Sequence, residues 1–363
     1  MSIYIHIPFC SDICSYCDFS KVFYNEDLVY KYLESLRNEI MSNYKNELVD
    51  TLYIGGGTPS CLSLDELEIL FEIINIFNLS DDLEFTFECN IESIDYEKLM
   101  FLYNHGVNRL SIGVQTFNDK LLKLLNRHHT SSEVVEKISI AKEIGFDNIN
   151  IDLMYALPGQ SLSDLEKDID MFLGLEINHI STYSLIINEH TKLYIDNVRN
   201  IDENLDCEMY ELICNKLKDN GFHHYEISNF SKDGYNSKHN LVYWNNKNYY
   251  GFGCGASGYI DNVRYDNTRN ITSYIKGNYK YSSEILSLSE TIEYEFILGF
   301  RKLDGINITE FNNKYGDIFK YDVINKLIKE GKLINDGVNI YINPMYIYIS
   351  NTILVEFVGG LYE

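Results

Sequence analysis

Three closely spaced cysteines near the start of the chain constrain its fold more than any other feature. Cys10, Cys14 and Cys17 follow one another in the spacing C-x3-C-x2-C. Three isoleucines alternate with polar residues over positions 3–7, which predicts a short strand with one apolar face. Pro8 cannot donate to a sheet ladder, so the strand ends there. The cysteines therefore lie on a loop that leaves the end of a strand.

Three thiols on one loop fit more than one kind of site. A [4Fe-4S] cluster held by three cysteines keeps one iron open for a substrate or cofactor. Structural zinc normally has four ligands, and only His6 and Asp18 lie near enough in sequence to complete the set. A disulfide is disfavoured because we expect no export signal before the first strand. The spacing favours the cluster and leaves zinc, or cysteines without a shared role, as alternatives.

Length and composition exclude several other classes. The 363 residues are enough for a barrel-sized domain and a smaller one, and 45% hydrophobic content is typical of a globular protein. No run approaches the ~18 apolar residues of a membrane span. The net charge of -24 argues against nucleic-acid binding and against docking on an anionic membrane. The first strand begins so soon after Met1 that we expect no signal or transit peptide, and hence a cytoplasmic protein.

The remaining cysteines show no clustering. In a reducing compartment, eight cysteines favour metal or cluster chemistry over disulfides. Outside the loop we expect thiols that are small buried residues, namely Cys61, Cys89, Cys207, Cys214 and Cys254.

Strand-like and helix-like patterns alternate through the first half of the chain. Strands are predicted at residues 3–7, 51–54, 83–88, 109–115, 148–154 and 180–186. This alternation predicts a parallel sheet with right-handed crossovers. One strand face is aliphatic and the other repeatedly polar, unlike a flat sheet with helices on both faces. We therefore predict an α/β fold whose residues 1–187 form a partial (β/α)6 TIM-like barrel with a polar cavity at the strand ends.

The pattern changes after residue 187. A helix is predicted at 201–220, followed by an aromatic and glycine-rich stretch, so residues 188–288 are interpreted as an extension of the barrel. Short helical patterns and a terminal apolar segment predict a small α+β domain, similar to a winged helix, at residues 289–363. That segment is net acidic, so DNA binding is not expected.

Polar residues recur where the predicted strands end. The glycines of residues 55–57 would let a ligand approach the backbone closely, although a tight turn explains them equally well. Carboxylates such as Glu88 and Asp152 suit ribose hydroxyls or an ammonium group. The guanidinium of Arg127 suits a carboxylate, and Gln115 adds an amide. Together these groups predict a site for a zwitterionic nucleoside beside the cysteine loop.

Several motifs resemble the radical S-adenosylmethionine (SAM) superfamily, and within it the oxygen-independent coproporphyrinogen III oxidase-like proteins. They are Tyr-Ile-His-Ile-Pro-Phe-Cys, Gly-Gly-Gly-Thr-Pro-Ser, Leu-Ser-Ile-Gly-Val-Gln-Thr-Phe and Ile-Asp-Leu-Met-Tyr-Ala-Leu-Pro-Gly-Gln. The resemblance implies that the three cysteines bind a [4Fe-4S] cluster whose open iron takes the amino and carboxylate groups of SAM. By matching position, the implied SAM contacts are Tyr4, Tyr16, Gly56, Gly57, Thr58, Glu88, Gln115, Arg127 and Asp152.

Within this family the chain is similar to the haem chaperone branch, the HemW-type proteins. Phe19 stands where the oxidases carry a fourth cysteine, and the N-terminal extension of the oxidases is not expected here. His239 opens a His-Asn-x-x-Tyr-Trp motif that the chaperone branch associates with haem. The resemblance thus implies haem binding, haem-acceptor proteins as partners and a reductant such as a flavodoxin or ferredoxin. The alternative is oxidative decarboxylation of coproporphyrinogen III; an iron-sulfur electron carrier would leave the glycines and carboxylates unexplained.

The chemistry of the histidine side chain also bears on the role of His239. A neutral imidazole is a common axial ligand of haem iron, whereas a hydrogen-bonded loop histidine is the ordinary alternative. Ser257 occupies a position where the family often has a histidine, so a second ligand or proton donor there is missing. Other histidines, which we do not favour as ligands, are His128, His129, His223 and His224.

Overall fold

The computed structural model describes residues 1–359. Its strands are β1 Ser2–Ile7, β2 Phe9–Cys10, β3 Val22–Phe23, β4 Leu48–Gly56, β5 Asn78–Asn90, β6 Arg109–Gln115, β7 Asn148–Tyr155, β8 His179–Ser184, β9 His223–Glu226, β10 Asn229–Ser231, β11 Tyr249–Phe252, β12 Ser257–Ile260, β13 Val263–Asn267, β14 Lys280–Ile285, β15 Ile306–Asn307, β16 Leu333–Asn335 and β17 Asn339–Ile342.

The helices alternate with the strands in the first half of the chain. They are α1 Glu26–Asn43, α2 Leu64–Ile74, α3 Tyr96–Asn104, α4 Asp119–Leu124, α5 Ser131–Ile144, α6 Leu162–Gly174, α7 Lys192–Ile195, α8 Glu203–Asp219, α9 Lys238–Trp244, α10 Ile271–Ile275, α11 Leu288–Gly299, α12 Ile308–Tyr315, α13 Asp322–Lys329 and α14 Ser350–Leu354.

Six parallel strands form the centre of the main sheet. β1, β4, β5, β6, β7 and β8 lie side by side in the order in which they occur along the chain. The predicted α/β fold of successive parallel units is therefore confirmed. The largest departure in length is β5, which begins at Asn78, several residues before the alternating stretch that predicted it.

Local sequence signals set the helix boundaries. The Ser63 hydroxyl accepts a hydrogen bond from the Glu66 amide, and the Glu66 carboxylate accepts one from the Ser63 amide, so α2 begins with the predicted capping box. Thr130 and Glu133 form the same motif at α5. The helices then bury their apolar faces against the aliphatic face of the strands, in a core that includes Leu33 of α1.

Segments that follow residue 187 complete both edges of the main sheet. β11 pairs in parallel with β1 at one edge, and β10 pairs antiparallel with β8 at the other. Between these strands, α9 lies against the amino-terminal ends of the central strands. The backbone amides of Lys238 and His239 donate to the carboxylate of Glu84, which β5 carries there.

A second hydrophobic core forms in the last part of the chain. Helices α11, α12 and α13 pack with a three-stranded antiparallel sheet in the order β15-β17-β16, around Phe296 and Phe300. The winged-helix-like class of this part and the divisions at residues 187 and 288 stay predictions, and the last four residues of the predicted domain lie outside the described residues.

Membrane-spanning character is absent from the helices described. Within residues 1–359, no helix combines the length and the apolar character that crossing a bilayer requires.

Candidate functional site

A cavity of about 470 Å³ runs along the polar face of the central strands. The cysteine loop closes its end at the carboxyl termini of the strands, and Arg109 and Asn240 reach it from the amino-terminal side. The predicted site residues that line it are Cys10, Cys14, Tyr16, Cys17, Gly56, Gly57, Thr58, Glu88, Gln115, Arg127 and Asp152. Of the predicted SAM contacts, Tyr4 is the one absent from this lining.

Backbone contacts hold the start of the cysteine loop against the glycine-rich loop. β2 pairs in parallel with β3, and the amides of Gly57 and Thr58 donate to the carbonyls of Ile7 and Phe9 at 2.8 Å each. At Cys10, the Thr58 hydroxyl donates to Sγ at 3.5 Å. The first thiol is thus positioned by two elements that are far apart in sequence.

The far side of the cysteine loop is anchored to the end of α4. The Ser15 amide donates to the Leu125 carbonyl at 3.0 Å, and the Asn126 amide group donates to the Ile13 carbonyl at 2.9 Å. These bonds fix the backbone on both sides of Cys14. The loop is therefore tied to the scaffold on both sides of Cys14.

Two thiols of the loop, Cys10 and Cys17, are favoured as neutral groups by their burial. Burial raises the pKa of Cys10 to about 11, although the hydrogen bond from Thr58 opposes the shift. Burial also raises the pKa of Cys17. Because thiolates are the metal-binding form, loading of iron here must release protons.

The three thiols are not arranged around one ion. In the part of the chain that is described, no group of three His, Cys, Asp or Glu side chains could hold a single metal ion. His6, the sequence candidate for a fourth zinc ligand, donates from Nε2 to the Ser20 carbonyl at 2.8 Å and accepts from the Tyr4 hydroxyl at Nδ1, at 3.0 Å. Both of its nitrogens are therefore in use away from the thiols.

Each glycine of the loop after β4 makes room for a different neighbour. A Cβ on Gly55 would lie 2.6 Å from the Glu88 carboxylate, and one on Gly56 would lie 2.7 Å from the His6 ring. A Cβ on Gly57 would lie 2.7 Å from the Phe9 carbonyl oxygen and 3.0 Å from Cys10 Sγ. The three glycines thus let this loop, the cysteine loop and β5 meet.

Glu88 faces the cavity from β5. Its carboxylate accepts from the Tyr53 hydroxyl at 2.8 Å and from the Gly56 amide at 3.0 Å. Burial, reinforced by the charge of Asp152, raises the pKa of Glu88 to about 7 in spite of these hydrogen bonds. A cationic group bound in the cavity would shift this carboxyl toward its charged form.

Arg127 lies beside the cysteine loop. One terminal nitrogen donates to Asn90 at 3.0 Å and lies 3.8 Å from Cys14 Sγ. The other donates to Glu92 at 3.0 Å and to the Gly113 carbonyl at 2.7 Å. Its Nε has no partner although it is buried. Burial works against the charge, yet Cys14, Tyr16 and Glu92 together raise the pKa of Arg127.

Asp152 belongs to a polar network across three strands. Asn150 donates to Asp152 at 2.9 Å and to the Ser111 hydroxyl at 2.9 Å. The side-chain oxygen of Asn150, Oδ1, contacts the His179 ring at 2.6 Å and accepts a hydrogen bond from the Ser181 hydroxyl at 3.1 Å. This network fixes the orientation of the Asp152 carboxylate toward the cavity.

His239 lies on α9, below the cavity, and is 1% exposed. Its Nδ1 contacts the Thr51 hydroxyl at 2.8 Å and its Nε2 contacts the Tyr243 hydroxyl at 2.7 Å. Burial lowers the pKa of His239 to about 3, so the ring is neutral. Iron ligation by His239 stays a prediction, and it requires one of these two contacts to break. Ser257 is exposed and donates to Asp266 on the neighbouring strand.

The residues present fit a cluster with SAM. Three thiols converge on a cavity with a carboxylate pair on one wall and a buried arginine that has an unpartnered nitrogen beside the loop. The glycines leave a groove that a side chain would fill. Soft sulfur ligands suit iron, and the mixture of carboxylates and arginine suits the ammonium and carboxylate groups of an amino acid.

Some residues of the site were missed by the sequence analysis. Tyr53, Arg109 and Tyr183 line the cavity with the predicted residues. Arg109 shares its strand face with Ser111, Gly113 and Gln115, so extending that alternation to the start of the strand would have found it.

The fold and the site define a radical SAM protein. The profile of the Radical SAM superfamily matches residues 4–172. The structure is similar to that of coproporphyrinogen III oxidase (HemN) from Escherichia coli, with a TM-score of 0.86, over 98% of this chain and 89% of that chain. The two sequences are 21% identical, so this likeness concerns the fold.

Sequence relatives narrow the class further. The chain is 41% identical to the heme chaperone HemW of Lactococcus lactis, over 98% of this chain and 97% of the relative. It is also 41% identical to HemW of Bacillus subtilis, over 99% and 100%, and 33% identical to HemW of Escherichia coli, over 86% and 85%. The chain therefore belongs to the HemW family.

Proposed function

We propose that this protein is a haem chaperone that binds haem on a radical SAM scaffold and transfers it to acceptor proteins. The observation that carries the proposal is the identity of 41% to two heme chaperones over nearly the whole length of each. The cavity supports it because its polar groups and its thiols suit the cofactors of the superfamily.

Three cysteines, Cys10, Cys14 and Cys17, would hold the [4Fe-4S] cluster. When bound, this cluster supplies an open iron for SAM and the electron for its reductive cleavage. We assign the amino group of SAM to the carboxylate side of the cavity, and its carboxylate to the side of Arg127. The remaining SAM contacts are proposed by position alone: Tyr4, Tyr16, Gly56, Gly57, Thr58, Glu88, Gln115 and Asp152.

The chain's own groups prepare this site. The Thr58 hydroxyl and the glycine loop position Cys10, and the contacts of Arg127 hold its guanidinium beside Cys14. Asn150 orients Asp152. The reductant that serves such a cluster is proposed to be a flavodoxin or ferredoxin, and the cell compartment is proposed to be the cytoplasm, because all eight cysteines are free thiols.

Oxidation of coproporphyrinogen III is the alternative activity. Phe19 occupies the position of the fourth oxidase cysteine, lies on the wall of the cavity and is 64% exposed, so it offers no thiol to the site.

The boundaries at residues 187 and 288 are kept as the proposed division into barrel, extension and C-terminal domain.

Two anaerobic assays test the proposed function. The haem-loaded protein should pass its haem to a haem-free globin used as a general acceptor, which a shift of the visible haem band reports. Coproporphyrinogen III should not be consumed in the presence of SAM and a reductant. Turnover comparable to that of an authentic oxidase would overturn the proposal, as would haem that never leaves the protein.

A further inference from the structure

Arg109 stands out among the buried residues of the molecule. It is the first residue of β6, its side chain is among the largest that are fully buried, and it is 2% exposed. It lines the cavity at the end opposite the cysteine loop, together with Asn240 of α9.

The guanidinium of Arg109 makes no close ion pair within the described residues, although its charge opposes the upward pKa shifts of Glu88 and Asp152. Its Nε has no hydrogen-bond partner, and it forms no ion pair with any residue of the described range 1–359. Three carboxylates lie in the same region, but each is bound elsewhere. Glu84 accepts from two backbone amides of α9, Glu88 accepts from Tyr53, and Asp152 accepts from Asn150.

A buried arginine without an ion pair is expected to bind an anionic ligand. A guanidinium keeps its positive charge in proteins, even where it is buried. A buried and unpaired charge is strongly destabilising, and native proteins rarely keep one without a use. The hydroxyl of Thr86, which pairs with Arg109 across the sheet, is also buried without a partner. Of these two residues Arg109 lines the cavity, so its unpartnered nitrogen points to a ligand that accepts hydrogen bonds.

The backbone of Arg109 lies at the start of β6, away from the strand end that meets the cysteine loop. Arg127 binds the Gly113 carbonyl on the same strand, four residues further on. At ~3.3 Å per residue this difference corresponds to ~13 Å along β6. A SAM carboxylate held beside Cys14 therefore leaves Arg109 available for a second anion.

We propose that Arg109 binds a carboxylate of the ligand at the floor of the cavity and that this carboxylate is a propionate of the bound haem. The identity of the ligand rests on the proposed function, whereas the need for an anion rests on the unpartnered guanidinium. The fork of an arginine matches a carboxylate through two parallel hydrogen bonds. Haem would then be oriented by its propionate edge in addition to any contact with iron.

Haemin and its dimethyl ester distinguish this role, since esterification removes the negative charge of both propionates. Both should be titrated against the cluster-loaded wild type, Arg109→Met, Arg109→Lys and the surface control Arg37→Met, and SAM binding should be measured in parallel. We expect the wild type and Arg37→Met to bind haemin at least ~10-fold more tightly than the ester. Arg109→Met should lose this preference, Arg109→Lys should keep part of it, and SAM affinity should not change.

Thermal unfolding distinguishes a ligand-binding role of Arg109 from a structural one, because the two roles predict different changes in the melting temperature of Arg109→Met. Removal of an unpaired buried charge should leave the melting temperature of Arg109→Met equal to or above that of the wild type. A melting temperature several degrees lower would identify Arg109 as structural and overturn the proposal. So would a haemin preference that survives in Arg109→Met, or a loss of SAM binding, which would assign the carboxylate to SAM. If the wild type binds neither haemin nor its ester, the proposed function fails together with this inference.

Discussion

Glu88 should make the stability of the protein depend on pH in a way that one substitution removes. Its pKa is raised from 4.5 to about 7, chiefly by burial. In the unfolded chain the group loses its proton above its ordinary pKa, whereas in the folded chain it keeps the proton up to about pH 7. The unfolded state therefore binds fewer protons in this window, and stability falls as pH rises through it.

The size of this effect follows from the shift. A pKa raised from 4.5 to about 7, at ~1.4 kcal/mol for each tenfold change in the proton equilibrium, gives ~3.5 kcal/mol of stability that is present below about pH 4.5 and lost above about pH 7. Glu88→Gln cannot ionise and keeps one hydrogen-bond acceptor for Tyr53 or the Gly56 amide. Any hydrogen bond that it loses changes stability equally at every pH.

The assay is urea unfolding of the cluster-free protein at about pH 5 and about pH 8. Between the two pH values, Glu88→Gln should gain ~2–3 kcal/mol of stability relative to the wild type. The other carboxyls with a raised pKa remain in both proteins; they are Glu39, Asp152, Asp168 and Glu226. Glu72→Gln, at an exposed ion pair with Arg37, should show no such gain. A difference between Glu88→Gln and the wild type that is the same at both pH values would refute the reasoning.

Three further predictions concern the site. Cys14→Ser should abolish the visible absorbance of the cluster after anaerobic reconstitution, and retention of that absorbance would remove Cys14 from the ligand set. Gly57→Ala should lower the free energy of unfolding by ~1–3 kcal/mol and impair reconstitution, because its Cβ would meet the Phe9 carbonyl and Cys10. In the matched control, Gly174→Ala at the end of α6, the added Cβ meets nothing within 4 Å. This variant should neither lose stability nor impair reconstitution. If His239 binds haem iron through Nε2, Tyr243→Phe should strengthen haem binding and His239→Ala should weaken it, as haem titrations would show; unchanged binding in both would exclude the ligand.

The parallel sheet and its polar lining could be predicted because each depends on local pattern. Alternation along β5 and β6 separates aliphatic from polar positions, and parallel strands bring their carboxyl ends to one edge. Positions such as Glu88 and Gln115 therefore had to share a cavity with the cysteine loop once six parallel units were predicted.

The contacts that give the site its chemistry could not be predicted in this way. Arg127 meets Asn90 and Glu92 because α4, β5 and β6 pack together, which no local pattern encodes. The placement of α9 under the barrel depends on Glu84 accepting two of its amides, across more than 150 residues of chain. As a result, the motif around His239 could be recognised, but its buried position and both of its hydrogen bonds could not be foreseen.

The most direct test of the central claim is an anaerobic titration of the cluster-loaded protein with haemin, followed through the haem absorbance band. A haem chaperone should give a saturable band that reaches its plateau at about one equivalent. Absorbance that grows without saturation, as with free haemin, would contradict the claim that this radical SAM scaffold is a haem carrier.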